Sequence, residues 1–300
     1  MMKHFLKYAF PGLLLLTVIA ACEKEYETIE VIDDRNITTY IQQNKLNVQE
    51  YQGTGIYYEV VSSGTGTEVE YSEQLPLIFT RRSLDGQYVS SDTFSVENRS
   101  YSYLGYMNPE AVRIGIKEVL KKRSGTLRMI IPSRLAFGRN GVGNIPGNAS
   151  LDLTVKVLDK SKLADYEDFT IKKYMDGNGL TGFTKTSTGL YYKIAEVGTG
   201  SSITIDSTVS AEYTGKFLNG AVFDKAVAGS AASFALNGIN KDGINAPIKG
   251  WQQAIPLIKQ GGSIRIIIPS ALAYGLEGNS GIVPAFSCLD FDVKITDVTQ

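Results

Sequence analysis

Histidine is almost absent from this chain: His4 is the only one in 300 residues. It falls inside residues 1–22, which read as a removable leader, so the remaining chain would hold none. That excludes Ser–His and Cys–His nucleophile–base pairs, HExxH zinc sites and histidine proton shuttles. Cysteine is nearly as scarce. With Cys22 closing the leader, Cys288 has no intrachain partner and no disulfide is expected. Cys288 directly precedes the alternating run Leu289-Asp-Phe-Asp-Val-Lys-Ile295, so a buried, inert thiol is expected there. Positive charge is not in excess either: the formal net charge is −1, and −3 without Lys3 and Lys7, which leaves no basic footprint for nucleic acid. Gly141-Val-Gly-Asn-Ile-Pro-Gly147 lacks a following Lys-Ser/Thr and a helix, so it is a turn and not a phosphate cradle. Asp33-Asp34 and the acids from Glu25 to Glu30 have no further ligands converging on them, so no metal site and no cofactor are expected.

Long apolar runs are also missing. The stretch from Ala9 to Ala20, about 12 residues broken by Pro11-Gly12, falls short of the roughly 20 that cross a bilayer. With Lys3 and Lys7 before it and Ile19-Ala-Ala-Cys22 after it, residues 1–22 resemble a bacterial lipoprotein signal. The resemblance implies that Cys22 becomes a lipidated first residue, anchoring the chain to a membrane of the cell envelope. The outer membrane of a diderm bacterium is the expected site, with the chain facing the periplasm or the surface.

What is present is a sentence written twice. Arg128-Met-Ile-Ile-Pro-Ser-Arg-Leu-Ala-Phe-Gly138 returns as Arg265-Ile-Ile-Ile-Pro-Ser-Ala-Leu-Ala-Tyr-Gly275. At an offset of 134, Ile37-Thr-Thr-Tyr40 answers Ile171-Lys-Lys-Tyr174 and Thr54-Gly-Ile-Tyr-Tyr58 answers Thr188-Gly-Leu-Tyr-Tyr192; by the copies' ends the offset is 138. Units of this length are folded domains, not solenoid repeats. The expected organisation is a leader over 1–22, a tether over 23–32, one domain over 33–160 and a second over 165–300, each opening with a short helix, at 34–44 and 167–176.

Val209, Ala211 and Tyr213 alternate with Ser210, Glu212 and Thr214, the period of a strand with one buried face. Ile264–Ile268 is a fuller apolar strand stopped by Pro269, and Leu289–Ile295 alternates again. Between them a single helix is expected from Lys249 to Ile255, closed by Pro256, with its counterpart near Pro109–Lys122. Antiparallel strands around one short helix make an α+β domain, here twice over.

Residues 188–300 resemble the FKBP-type peptidyl-prolyl isomerases in five ordered pieces: Tyr213-Thr-Gly215; Gly220-Ala-Val-Phe-Asp224; Pro247-Ile-Lys-Gly-Trp251; Leu272-Ala-Tyr-Gly275; and Gly281-Ile-Val-Pro284 followed by Leu289-Asp-Phe-Asp-Val293. The resemblance implies two FKBP-like domains, each an antiparallel sheet wrapped around one short helix. It implies a pocket with Trp251 as floor, and with Tyr213, Phe223, Ile248, Val283 and Phe291 as walls. Asp224 and Tyr274 would stand at its rim, and the Ile248 N–H would receive a substrate carbonyl. An Asp directly after Val-Phe itself asks for a hydrogen-bonding partner or a role. The implied activity is isomerisation of X–Pro bonds in proline-containing polypeptides folding outside the cytoplasm, without cofactor. Such chemistry needs no nucleophile, since an apolar pocket that strips water from the amide favours its twisted state. This sequence departs from the pattern at Ala232, in the Gly/Asn-rich stretch 236–246 and in the polar Glu277-Gly-Asn-Ser280.

The first copy carries Phe79, Val89, Ser90, Ile114, Phe137 and Leu153 where linear alignment places Tyr213, Phe223, Asp224, Trp251, Tyr274 and Phe291. It keeps what folds and drops the polar handles, so a catalytically silent domain is expected. The rival reading is a membrane-tethered chaperone or assembly scaffold with little turnover.

Overall fold

The computed structural model describes residues 27–238, 246–279 and 281–299. The leader, Cys22 and most of the expected tether lie outside the described residues, as do 239–245. Among the described residues no helix is long and apolar enough to cross a membrane.

The first copy runs α1 (Ile29–Gln43), β1 (Gln49–Glu50), β2 (Tyr57–Ser62), β3 (Gln74–Ser83), β4 (Val89–Ser90), β5 (Arg99–Tyr103), α2 (Glu110–Ile114), β6 (Thr126–Ile131) and β7 (Leu151–Val157). The second runs α3 (Leu163–Gly177), β8 (Thr184–Lys185), β9 (Tyr191–Glu196), β10 (Thr208–Phe217), β11 (Val222–Ala226), β12 (Ala232–Ala235), α4 (Lys249–Ala254), β13 (Ser263–Ile268) and β14 (Leu289–Thr299). Each copy forms one antiparallel seven-stranded sheet. The orders β1-β2-β6-β7-β3-β4, with β5 on β3, and β8-β9-β13-β14-β10-β11, with β12 on β10, are the same topology. The class is α+β, two FKBP-like sheets each closed over a short helix.

Alternation explains which face is covered. Val209 and Ala211 on β10, Ile264 and Ile266 on β13 and Phe291, Val293 and Ile295 on β14 enter one core with Trp251 and Ile255 of the short helix segment. Leu75, Leu77 and Phe79 on β3 do the same in the first copy against Val112 and Ile116. Gly250 lets α4 lie close to its sheet: a Cβ there would stand 2.6 Å from Ile268 Cγ2. Pro256 falls in the 3-10 turn Ile255–Leu257 that ends α4.

The long helices cover the opposite faces. Buried Asp33, Ile37 and Tyr40 on α1, and Leu163, Glu167 and Ile171 on α3, recur at three- and four-residue spacing and form one stripe. Tyr40 Oη donates to Asp152 Oδ2 at 2.8 Å, and Arg128 grips the same carboxylate through Nε at 2.9 Å and Nη2 at 2.6 Å. Tyr174, Asp290 and Arg265 repeat this in the second copy at 2.6, 3.0 and 2.6 Å. Burial and Asp290 push the Tyr174 phenol up to about 12. A second buried carboxylate ties each helix to the turn after β6 or β13. Asp33 accepts from Ser133 Oγ and Ser150 Oγ at 3.0 and 2.7 Å; Glu167 accepts from Ser270 N and Oγ at 3.0 and 2.5 Å. Buried carboxylates without such partners would cost several kcal/mol each, by the ~2–7 kcal/mol scale for unpaired polar groups.

Both helices begin earlier than the sequence suggests. Residues 29–32, expected as tether, are the first turn of α1, where Glu30 faces the positive helix end. Between the copies a 3-10 turn over Lys160–Lys162, capped on its N-terminal side by Asp159, leads directly into α3, whose buried Leu163 extends the stripe.

Candidate active site

The concave face of the second sheet gathers seven of the eight residues singled out above into one cluster. Trp251, Val283 and Phe291 are buried; Tyr213, Phe223, Ile248 and Tyr274 are half-buried against them. The rings meet edge to face: Tyr213–Trp251 at 5.1 Å, Trp251–Phe291 at 5.5 Å and Phe223–Phe291 at 5.6 Å between centroids. Such pairs add about 0.5–1.5 kcal/mol each beyond burial. Trp251 is 2% exposed, and its indole N–H has no hydrogen-bond partner among the described residues.

Asp224 joins this cluster at the rim. Tyr213 Oη donates to Asp224 Oδ2 at 2.6 Å. Burial and this carboxylate raise the Tyr213 phenol above its ordinary 10.0, and burial, with Asp224 second, raises Tyr274. Both hydroxyls are therefore protonated donors at neutral pH. Ile248 is the N-cap residue of α4, so its own N–H lies outside the helical ladder. Val283 pairs with Asn279 across the loop after Tyr274. The arrangement offers an aromatic bowl with fixed donors at its edge and no nucleophile–base pair.

Two rings complete the bowl without belonging to any of the five motifs. Phe234 lies 5.0 Å from Trp251 and 5.9 Å from Tyr213, and Phe217 stacks on Phe223 at 4.9 Å. The inward phase of β10 and β12 is the signal that could have found them. Gly215 sits between the rings for a steric reason. A Cβ there would be 2.6 Å from Phe291 Cε1 and 2.9 Å from Phe223 Cζ, so any side chain displaces the wall.

The first copy fills the same space. Arg81 stands at the register of Gly215, with its guanidinium 4.5 Å over the Phe79 ring. Arg81 Nη1 donates to Glu97 O at 2.6 Å and to Asn98 Oδ1 at 3.2 Å. Val89 points outward and is exposed. One alignment needs correcting. Ile114 is only half-buried, whereas Ala111, Val112, Gly115 and Ile116 share the burial phase of Gly250, Trp251, Ala254 and Ile255. Val112 is therefore the counterpart of Trp251. The linear alignment slips because the first copy follows α2 with a wide π turn, Gly115–Leu120, where the second has a tight 3-10 turn. In this register Pro109, the N-cap residue of α2, replaces Ile248, and proline has no N–H to donate.

The family described as FKBP-type peptidyl-prolyl cis-trans isomerase matches residues 200–296. A Haemophilus influenzae protein named "Probable FKBP-type peptidyl-prolyl cis-trans isomerase" is 40% identical over 114 residues, 38% of this chain and 44% of that protein. The FKBP-type 22 kDa peptidyl-prolyl cis-trans isomerase of Escherichia coli is 34% identical over 128 residues, 42% of this chain and 58% of its own. The crystal structure of FkpA from Escherichia coli aligns at 35% identity with a TM-score of 0.39, covering 46% of this chain and 62% of that one. The chain spans about half the length of the curated relatives it matches. Over residues 200–296, its second copy, this chain is thus similar to the FKBP-type peptidyl-prolyl cis-trans isomerase family.

Proposed function

We propose that the aromatic bowl of the second copy isomerises X–Pro bonds in polypeptides that fold outside the cytoplasm, and that the first copy is catalytically silent. The observation that carries this reading is the set of edge-on rings around Trp251, closed at the rim by the Tyr213–Asp224 bond. Resonance holds a peptide bond planar behind a barrier of about 18–20 kcal/mol, and uncatalysed X–Pro exchange takes tens to hundreds of seconds. A prolyl ring set on the indole leaves water outside. The twisted amide, which has lost its charge separation, then suffers less from the missing solvent than the planar one. The Ile248 N–H holds the flanking carbonyl, and Asp224 holds Tyr213 in place.

In the first copy Arg81 fills the bowl, Pro109 removes the donor and Ser90 replaces Asp224. The domain scheme is 33–160 and 165–300, the helices reaching slightly beyond it. Lipid on Cys22 holds both domains in the cell envelope, at the outer membrane of a diderm bacterium, where unfolded proline-containing chains are the clients.

The test uses the whole chain without its leader. Trp251→Leu and Asp224→Val each lower kcat/KM for an X–Pro peptide by about tenfold or more, and Val112→Leu leaves it unchanged. A background rate from well-folded wild-type protein defeats the enzyme reading. The chaperone reading then gains from Tyr103 and Tyr106, edge-on at 6.1 Å on the first copy's surface, with Tyr106 81% exposed. It requires suppression of client aggregation that Tyr106→Ser weakens.

A further inference from the structure

The loop between Tyr274 and Phe286 carries one wall of the bowl, Val283, and begins at the rim residue Tyr274, after the 3-10 turn Ser270–Leu272 that follows β13. Its neck is closed where Phe286 N–H donates to Gly275 O at 3.1 Å. Both sides of that neck are covered by the rest of the chain. Leu276, Ala285 and Phe286 pack with Ile78 of β3, with Leu158 just after β7 and with Leu163 at the start of α3. Phe286 is fully buried.

At the centre of this contact is Arg99, the first residue of β5 in the first copy. It is buried, and no carboxylate pairs with it in an ion pair among the described residues. Instead Nη1 donates to Phe286 O at 2.8 Å and Nε donates to Thr93 O at 2.7 Å. The guanidinium lies between two rings, 5.0 Å from Phe94 and 5.1 Å from Phe286. Nearby, Asn219 Nδ2 donates to Asp92 Oδ2 at 2.5 Å, and Phe94 packs against the cluster containing Leu218 and Cys288. Burial lowers the Arg99 guanidinium from its usual value, so desolvating this cation has a cost that its contacts must offset.

The first copy supplies a control for the same turn. Its neck is closed identically, by Asn148 N–H on Gly138 O at 2.8 Å, and Asn148 is exposed. Both residues have positive φ, +57° for Asn148 and +42° for Phe286. Asn tolerates that conformation; a bulky aromatic does not, and it persists there only where its surroundings hold it. What holds Phe286 is Arg99 and the apolar contact around it.

The geometry points to the first copy as a positioning domain for the second copy's site: Arg99 clamps the neck of the loop that carries Val283, and the bowl keeps its working shape only with that clamp in place. This rests on the isomerase reading above. Arg99 touches no substrate; it acts through Phe286. The fold explains why a silent copy is retained beside an open one.

The experiment uses the whole chain with Arg99→Met, Arg99→Lys and Phe286→Asn, the last installing the residue that the first copy has at this turn. Four quantities are read: kcat/KM on an X–Pro peptide, hydrogen exchange over 274–286, emission of Trp251, and the melting transition. Trp251 is the only tryptophan of the chain, so its emission reports the floor of the bowl alone. Arg99→Met and Phe286→Asn are expected to speed exchange at the neck and to lower kcat/KM, each by about tenfold, with a shift in Trp251 emission and unchanged exchange in β10 and β14. Arg99→Lys keeps one donor and one cation and recovers part of the activity. The inference is overturned if the neck opens and kcat/KM stays within about twofold of the parent, or if neither variant changes exchange at the neck. A parent with no isomerase activity defeats the isomerase reading instead, and exchange and emission still decide whether Arg99 holds the loop.

Discussion

Gly215 and Arg81 occupy the same point of the same strand in the two copies, and around that point one face gathers aromatic rings while the other holds a guanidinium. The rest of the frame is shared, down to the order of seven strands and the Tyr–Asp–Arg group that docks each long helix. The difference teaches that this fold does not need its bowl. The first copy closes the space with a guanidinium on Phe79 and keeps a complete apolar core beneath it. The second keeps seven half-buried or buried aromatic rings around a glycine, an arrangement that packing alone does not require.

The comparison breaks most visibly if the difference can be moved from one copy to the other. Gly215→Arg is expected to plug the bowl and to lower the proposed isomerase activity by about a hundredfold while the melting transition stays cooperative, as a coupled X–Pro peptide assay and a thermal scan would show. The reverse change, Arg81→Gly in a Trp251→Leu background, is expected to add no activity, because Pro109 still lacks the donor. Activity appearing there would mean that the filled copy is merely blocked.

A second expectation separates the copies by pH. On α3, burial pushes Asp168 up, but Lys172, Lys185 and Tyr191 outweigh it and bring it to about 2. Lys185 Nζ stands 2.5 Å and Lys172 Nζ 2.8 Å from its carboxylate. The unfolded value is 3.8. A carboxylate with a lowered folded value stabilises the fold above its unfolded value and loses that contribution as pH falls through the folded one. Solvent screening around the exposed lysines holds the contribution to about 1 kcal/mol or less, fully present above pH 3.8 and fading toward pH 2. The equivalent Asp34 on α1 forms no ion pair among the described residues. Urea unfolding across this range should show an acid-side loss that Asp168→Asn flattens and Asp34→Asn leaves alone.

The smallest effect tests the shared part. Tyr40→Phe and Tyr174→Phe each remove one donor from a carboxylate that an arginine still holds, so each is expected to cost about 1 kcal/mol, by equal amounts in denaturant titrations. A clear inequality would mean that the two helices are not docked alike.

Much of the frame is legible in the sequence. Alternation at Val209–Tyr213 and Leu289–Ile295 marks the strands, Pro256 marks the end of the short helix, and the doubled Arg128 and Arg265 segments mark the duplication. Where residues sit relative to one another in space is less legible. The π turn after α2 shifts the register by two positions, so Val112 and not Ile114 answers Trp251, and the loss of the donor at Pro109 becomes visible only then. Arg81 reads in the sequence as a surface charge on a strand. Its place over Phe79 depends on Glu97 and Asn98, which no local pattern connects to it. Phe234 and Phe217 belong to the bowl through strand phase alone. The contact from Arg99 to Phe286 spans 187 positions, and neither residue stands in a motif. The starts of α1 and α3 depend on burial of Leu163 and on the charge of Glu30, weaker signals than the stripe that follows.

The Tyr–Asp–Arg groups also carry a consequence for the order of events as the chain emerges. Tyr40 meets Asp152 after 112 positions and Tyr174 meets Asp290 after 116, so each helix is made first, yet this group can close only when the final strand of its own copy exists. Until then the helix has its buried carboxylate's bond to the turn before that strand, Ser133 on Asp33 or Ser270 on Glu167. Each copy thus carries a latch whose keeper arrives last, and a truncated product cannot lock.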